Sequence, residues 1–289
     1  MSKNILQNYN MFNQNIDGFR CPICHSDIAI SNHSLICSNN HTYDISKQGY
    51  VNLLANYRPS KYDKHLFASR RIINELGFFD PLISQIVLII EDKLSDKSLI
   101  RILDAGCGEG YHLVKMQESL KENGASVWGV GLDISKEAAL KASKNYKNNI
   151  WLVADIAKLP FKAGQFDIIL NILSPANYQE FSRVLLNKGI IIKVVPNQDY
   201  LMEFRKILYD KTAQNDYSNF KTIELFENNL KLIEAKNIKY PVSIGENNLE
   251  HLVCMTPLSW GTNEANLAKL LKADINEVTV DLTILVGGK

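Results

Sequence analysis

Between positions 99 and 195 the chain carries five compact runs that are apolar at most positions: 99–103, 127–132, 150–153, 166–170 and 189–195. A strand with one wet face alternates polar and apolar residues, whereas a strand that is apolar on both faces must be covered on both. The intervening stretches 111–121, 136–146 and 178–185 carry apolar residues at helical spacing, so helices supply the cover. Strands interleaved with helices in this way predict an α/β domain over 81–289, built on a mostly parallel sheet and opened by a helix at 82–94. Its tail predicts further strands at 238–242 and 278–286 and helices at 201–209, 223–232 and 264–272. Pro241 has no N–H to give a ladder, which puts the 238–242 strand at a sheet edge.

The 289 residues are 46% hydrophobic and 22% charged, enough for one large core or two smaller ones and too apolar for a disordered chain. The formal charge is +1, so no global field draws the protein to nucleic acid or an anionic membrane, and any such attraction is local. No apolar run approaches the roughly 20 residues of a bilayer span, and no basic-then-apolar segment opens the chain. The expectation is a soluble, cytoplasmic protein without a membrane partner. Residues 1–18 are rich in Asn and Gln and are expected to be a flexible leader. Residues 19–54 hold short apolar pairs between turn residues, a hairpin module too small to fold on its own core. Residues 55–80 are expected to form a basic linker running into a helix that ends near Gly77.

The 99–103 strand runs into Asp104-Ala105-Gly106-Cys107-Gly108-Glu109-Gly110 and then a helical stretch. In an open parallel sheet ligands bind beyond the carboxyl ends of the strands, and glycines there admit a ligand that a Cβ would block. The dinucleotide fingerprint spaces its glycines G-x-G-x-x-G, whereas here they stand at 106, 108 and 110 behind an acid, a poor fit to a pyrophosphate. Asp133 closes the next strand, where a carboxylate can accept hydrogen bonds from both hydroxyls of a ribose. Its bland alternative is to cap the following helix, a task that suits Ser135 better. Asp155 follows the 150–153 strand, and its bland reading is a turn carboxylate.

Cys21-Pro22-Ile23-Cys24 is followed by twelve residues and then Cys37-Ser38-Asn39-Asn40-His41. Two knuckles of this spacing offer four donors to a closed tetrahedral zinc, with Cys21, Cys24, Cys37 and His41 preferred over the competing imidazoles of His25 and His33. Four protein ligands leave no open position for catalytic water, so the zinc is expected to be structural and to stabilise a stretch poor in apolar burial. The alternative is a packed hairpin of free thiols. Between Lys47 and Arg71 six basic residues (Lys47, Arg58, Lys61, Lys64, Arg70, Arg71) face one acid, Asp63, interleaved with Tyr50, Tyr57, Tyr62 and Phe67. Charge beside stacking faces suits RNA, and a solvated linker has the same composition.

The Asp-x-Gly-x-Gly-x-Gly loop resembles motif I of the class I (Rossmann-like) S-adenosylmethionine-dependent methyltransferases. More specifically, Cys-Pro-Ile-Cys, Cys-x-x-x-His, Gly49-Tyr50-Val51-Asn52-Leu53-Leu54, the glycine loop with Tyr111, Gly-Leu-Asp-Ile-Ser-Lys and Leu159-Pro160-Phe161 together resemble the RlmA/TlrB family of 23S rRNA guanine-N1 methyltransferases. The segments Leu201-Met202-Glu203 and Met255-Thr256-Pro257 fit as well, and the resemblance runs from about Phe19 to the C-terminus. It implies a zinc-ribbon-like module ahead of a methyltransferase domain. It further implies that S-adenosylmethionine is bound by Asp104, Gly106, Gly108, Gly110, Tyr111, Asp133 and Asp155, the last at the adenine amino group. The same resemblance implies an acceptor at N1 of one guanine in a 23S rRNA hairpin loop and a homodimer whose zinc modules help hold the RNA.

The loop Asn171-Ile172-Leu173-Ser174-Pro175-Ala176 follows the fourth strand, where this fold contacts its acceptor. It lacks the Pro-Pro-aromatic pattern of exocyclic amine methylation and the Pro-Cys nucleophile of pyrimidine C5 methylation. Asn171 and Ser174 are candidates to hydrogen-bond guanine and Pro175 to shape its pocket, with Pro196 and Tyr200 as further lining; the bland reading is a strand-to-helix turn. Two other functions fit these residues, a small-molecule methyltransferase that carries a zinc hairpin and a non-catalytic RNA-binding resistance or assembly factor.

Overall fold

The structure, a computed structural model, describes residues 3–54, 64–209, 217–245, 248–260 and 262–289. A three-stranded antiparallel ribbon of β1 (Ile28–Ser31), β2 (Ser34–Cys37) and β3 (Thr42–Asp44) follows an N-terminal helix, α1 (Lys3–Asn15). The chain then adds β4 (Tyr50–Asn52), α2 (Lys64–Glu75) and α3 (Asp80–Leu94). Pro81 opens α3 in the first turn, where its missing N–H costs nothing. The central part of the sheet alternates strand and helix: β5 (Ile100–Ala105), α4 (Tyr111–Glu122), β6 (Val127–Asp133), α5 (Lys136–Asn145) and β7 (Ile150–Val153). It continues with β8 (Phe166–Ile172), α6 (Tyr178–Val184) and β9 (Leu185–Pro196). The tail comprises α7 (Met202–Leu208), α8 (Phe220–Glu227), β10 (Lys231–Ser243), α9 (Leu249–Met255), α10 (Glu264–Leu271) and β11 (Glu277–Gly288).

The main sheet has eight strands in the order β10-β11-β9-β8-β5-β6-β7-β4. All neighbours from β9 to β4 are parallel, and β10 and β11 are antiparallel additions with β10 at the edge, where Pro241 needs no partner. The chain order reverses between β5 and β8, the position at which an open parallel sheet splays its loops and leaves a crevice. Both faces are apolar and covered: one core gathers α3, α4, α7 and α9, and the other gathers Phe12, the ribbon, α6 and α8.

Two expectations about organisation change. The 1–18 leader is not frayed over its described residues: α1 is helical, and Phe12 is fully buried with its ring 5.8 Å from Phe19. Tyr9, Phe12 and Ile16 stand three and four apart, which puts them on one helical stripe that the polar composition conceals. The 19–54 module is also not separate from the 81–289 α/β domain. β4 pairs in parallel with β7 (Tyr50 to Trp151, Asn52 to Val153) and forms the far edge of the main sheet. Residues 154–165, between β7 and β8, form no helix, and the first module fills that place on the sheet. The Phe19 ring lies 5.0 Å from Phe161, and Phe161 lies 4.9 Å from Phe166. Each buried phenyl contributes about 1.5–3 kcal/mol relative to exposure, so the two units share one core. The tail helix expected over 223–232 ends earlier, at Glu227, because β10 begins at Lys231 and runs for 13 residues. α9 was not expected from the sequence; its seven residues are too short to show a period.

Candidate functional site

The glycine loop leaves β5 at the crevice and meets the loop after β8. Gly106 has φ +90°, and a Cβ there would stand 2.0 Å from the Ser174 hydroxyl oxygen, so only glycine lets the two loops touch. Gly110, with φ +88°, is fixed in the same way by the Trp151 ring, 2.5 Å from its would-be Cβ. Asp133 ties the next strand end to this loop. One carboxylate oxygen accepts the Gly108 N–H at 2.9 Å and the other accepts the Ser135 N–H at 2.8 Å. Ser135 occupies the N-cap of α5 but makes no side-chain cap bond, so Asp133 does part of the capping that the sequence assigned to Ser135.

Two more acids lie beside it. Asp104 is 2% exposed, one of its oxygens has no partner among the described residues, and burial together with Asp133 pushes its carboxyl up to about 8. Glu109 is buried, accepts a hydrogen bond from Asn74 at 2.9 Å and is raised by burial. Tyr111, at the first turn of α4, is buried. Asp155 stands at the rim, where it accepts the Ala157 N–H at 2.9 Å in a turn. Glycines that a Cβ would fill, flanked by Asp133 and by two acids that each keep an unpartnered oxygen among the described residues, fit a ligand that carries ammonium and hydroxyl donors. S-adenosylmethionine, with its sulfonium, ammonium and ribose, is such a ligand.

On the acceptor side, Asn171 is fully buried. Its amide donates to the Ala105 and Pro175 carbonyls, each at 2.8 Å, and its oxygen accepts from Lys193 at 2.6 Å. Fully buried, with both amide hydrogens and its oxygen engaged by the protein, Asn171 holds the loop in place. Lys193, on β9, also donates to the Ser174 carbonyl and is only 4% exposed; burial lowers its ammonium to about 8. Its mark in the sequence is a lone charge inside the apolar run 189–195. Leu173 adopts φ +49°, a strained value for a branched side chain at a loop that must present Ser174 and Pro175. Tyr200 is buried, and Pro196 ends β9.

Only part of the basic patch lies among the described residues. Phe67 and Tyr50 are buried in the core and offer no stacking face, and Arg71 pairs with Glu75 at 2.6 Å along its helix. Tyr57, Arg58, Lys61, Tyr62 and Asp63 lie outside the described residues. α2 instead packs over the donor side of the crevice, joined to the glycine loop by Asn74 and to α9 by a 3.2 Å contact between the Ser69 hydroxyl and His251 Nδ1.

In the ribbon, the sulfurs of Cys21, Cys24 and Cys37 and a ring nitrogen of His41 lie within 4.8 Å of one another. Cys24 and Cys37 are 3.7 Å apart, against about 3.8 Å for two sulfurs on a tetrahedral zinc with bonds near 2.3 Å. His41 Nδ1 lies 3.5 Å from Cys21 and 3.3 Å from Cys37. The Ser26 hydroxyl, 3.0 Å from Cys24, is the main reason that its thiol falls to about 5, which favours the thiolate a metal requires. His33 is elsewhere, edge-on to Tyr9 at 5.5 Å, and His25 sits in the knuckle turn with φ +61°. Three sulfurs and one nitrogen in this arrangement fit a structural zinc.

Comparison with known proteins agrees with this architecture. Residues 19–61 match the N-terminal zinc ribbon of RlmA, and residues 96–249 match a methyltransferase domain. A Bacillus subtilis (strain 168) protein, provisionally named 23S rRNA (guanine-N(1)-)-methyltransferase YxjB, is 42% identical over 274 residues, covering 94% of this chain and 97% of that one. The 23S rRNA (guanine(748)-N(1))-methyltransferase of Streptomyces fradiae is 28% identical over 273 residues, covering 92% of this chain and 95% of that one. With both modules matched and a relative of that identity along nearly its whole length, the chain belongs to the RlmA family of methyltransferases, a zinc ribbon joined to an S-adenosylmethionine-dependent domain.

Proposed function

We propose that this methyltransferase modifies N1 of one guanine in a hairpin loop of 23S rRNA. The observation that carries the reading is the full-length similarity, ribbon and crevice together, to relatives named for guanine-N1 methylation of 23S rRNA. The donor supplies a methyl group on a positively charged sulfur. The chain itself contributes position and a dry setting. Asp133 and the 106–110 loop orient the nucleoside end, Tyr111 closes the first turn of α4 beneath it, and Asp155 faces the adenine amino group. Asp104 and Glu109, each with an oxygen unpartnered among the described residues, accept from the donor's ammonium.

N1 lies on the Watson–Crick edge, so the guanine must be unpaired before the methyl can reach it, and a loop base meets this at low cost. The Ser174 hydroxyl, against Gly106, is assigned to the guanine edge; Pro175 shapes the pocket wall. Asn171 and Lys193 keep both in place. Guanine N1 takes the methyl carbon as the sulfur–carbon bond breaks, the N1 proton passing to solvent and the sulfur leaving as a neutral thioether; because that leaving group is already activated, alignment of nucleophile and methyl is the main contribution asked of such a site. A homodimer acting in the cytoplasm, with the ribbons holding the RNA, completes the proposal. No single helix among the described residues is long and apolar enough to cross a membrane.

The test is to incubate the protein and S-adenosylmethionine with 23S rRNA from a strain that lacks the modification, digest the RNA to nucleosides and separate them by mass spectrometry. 1-Methylguanosine that depends on both components supports the reading. Methyl on another base, on another guanine atom, or on none overturns it.

A further inference from the structure

Arg70 stands on α2 facing the glycine loop, and the mechanism above does not use it. Its Nη1 comes within 3.0 Å of the point where a Gly108 Cβ would stand, and its guanidinium lies 5.5 Å from the Phe67 ring centre. The groups that feel its charge come from four elements around the crevice: Glu109, His112, Asp133 and Tyr200. Arg70 is half-buried, yet no carboxylate among the described residues pairs with it. The neighbouring cations are occupied, Arg71 by Glu75 and Lys193 by Asn171 and Ser174. A half-buried guanidinium with a free fork favours a planar anion that it can grip with two parallel N–H bonds.

The donor has one such anion. Its sulfonium and ammonium suit the oxygens of Asp104, Glu109 and Asp133, none of which can pair with its carboxylate; Arg70 is the unoccupied positive group at the same loop. We infer that Arg70 binds the carboxylate of the methionine end of S-adenosylmethionine, so that α2 closes the donor site as well as packing on it. The inference rests on the donor reading of the crevice. It also assigns Arg70 a small-molecule task in place of the RNA phosphate contact that its basic segment suggested.

The experiment is a two-by-two binding cycle by calorimetry, with wild type and Arg70→Met against S-adenosylhomocysteine and its decarboxylated analogue. Arg70→Met is expected to lose about tenfold to hundredfold in affinity for S-adenosylhomocysteine. It is expected to bind the decarboxylated analogue within about twofold of wild type, because the missing partner makes the two losses non-additive. Equal losses for both ligands, or no loss for either, overturn the assignment. If the variant fails to fold, wild type alone decides: equal affinity for the two ligands overturns the inference. If wild type binds neither ligand, the donor reading of the crevice fails, an outcome distinct from failure of Arg70 alone.

Discussion

The buried ammonium of Lys193 donates to the Asn171 side-chain oxygen at 2.6 Å across the β8–β9 pair, where the two residues are direct neighbours in register. Asn171 in turn donates to Ala105, the last residue of β5, and to Pro175 in the acceptor loop. One side-chain chain therefore links the strand that carries the donor loop to the loop that presents the acceptor. Asn171 and Lys193 are buried, so the spacing between the two loops is set by the core of the sheet.

Removing the lysine breaks that link. Lys193→Met leaves the Asn171 oxygen and the Ser174 carbonyl without their donor, at a cost of about 1–3 kcal/mol for each buried group. The expected result is a drop in kcat of more than about tenfold, with affinity for S-adenosylhomocysteine within about threefold of wild type. Single-turnover kinetics and calorimetry check the two halves separately.

Asp133→Ala removes the acceptor for the Gly108 and Ser135 N–H groups and the carboxylate proposed for the ribose. Hydrogen bonds to a charged group contribute about 1.5–3 kcal/mol, so donor affinity is expected to fall at least about tenfold. Equilibrium binding of S-adenosylhomocysteine measures it directly.

Asp104 makes stability depend on pH. Its carboxyl is raised to about 8 by burial and by Asp133, so the folded protein holds a proton that the unfolded chain releases near pH 4. That stability is fully present below the unfolded pKa and is lost as pH rises toward 8. Asp104→Asn cannot ionise and escapes the loss. In the absence of donor, the stability of the variant relative to wild type is expected to grow by about 1 kcal/mol or more between pH 5 and pH 8, a pKa unit being about 1.4 kcal/mol. Urea unfolding at both pH values checks the sign.

The ribbon and the sheet share β4 and the Phe19–Phe161–Phe166 stack, so loss of the metal is expected to reach the whole domain. Cys37→Ser is expected to fall from about one zinc per chain to near none and to melt about 10 °C or more below wild type. The transition is expected to remain single. Zinc analysis and calorimetry on the same sample read both quantities.

The elements that repeat along the sequence were legible in it. The 150–153 run became β7 without change, and the glycine loop and the four metal donors lie where spacing put them. What escaped was set by tertiary context. The helicity of α1 depended on three residues among many polar ones, and β4 is a strand because β7 offers it an edge. Asn171 looked available because its residue type suits a base contact, while its actual partners come from Ala105 and Lys193, 66 and 22 residues away. Phe67 and Tyr50 read as stacking faces until their burial removed them. Residue type named the chemistry each group can do; only the packing said whether the group was free to do it.

The most direct measurement is primer extension on 23S rRNA from an unmodified strain, after incubation with the protein in the presence or absence of S-adenosylmethionine. A methyl at N1 blocks Watson–Crick pairing, so the expected result is one new donor-dependent stop at a hairpin-loop guanine, weakened in Lys193→Met. RNA that is copied without any new stop, by a protein shown to bind the donor, would contradict the assignment of this chain to guanine-N1 methylation.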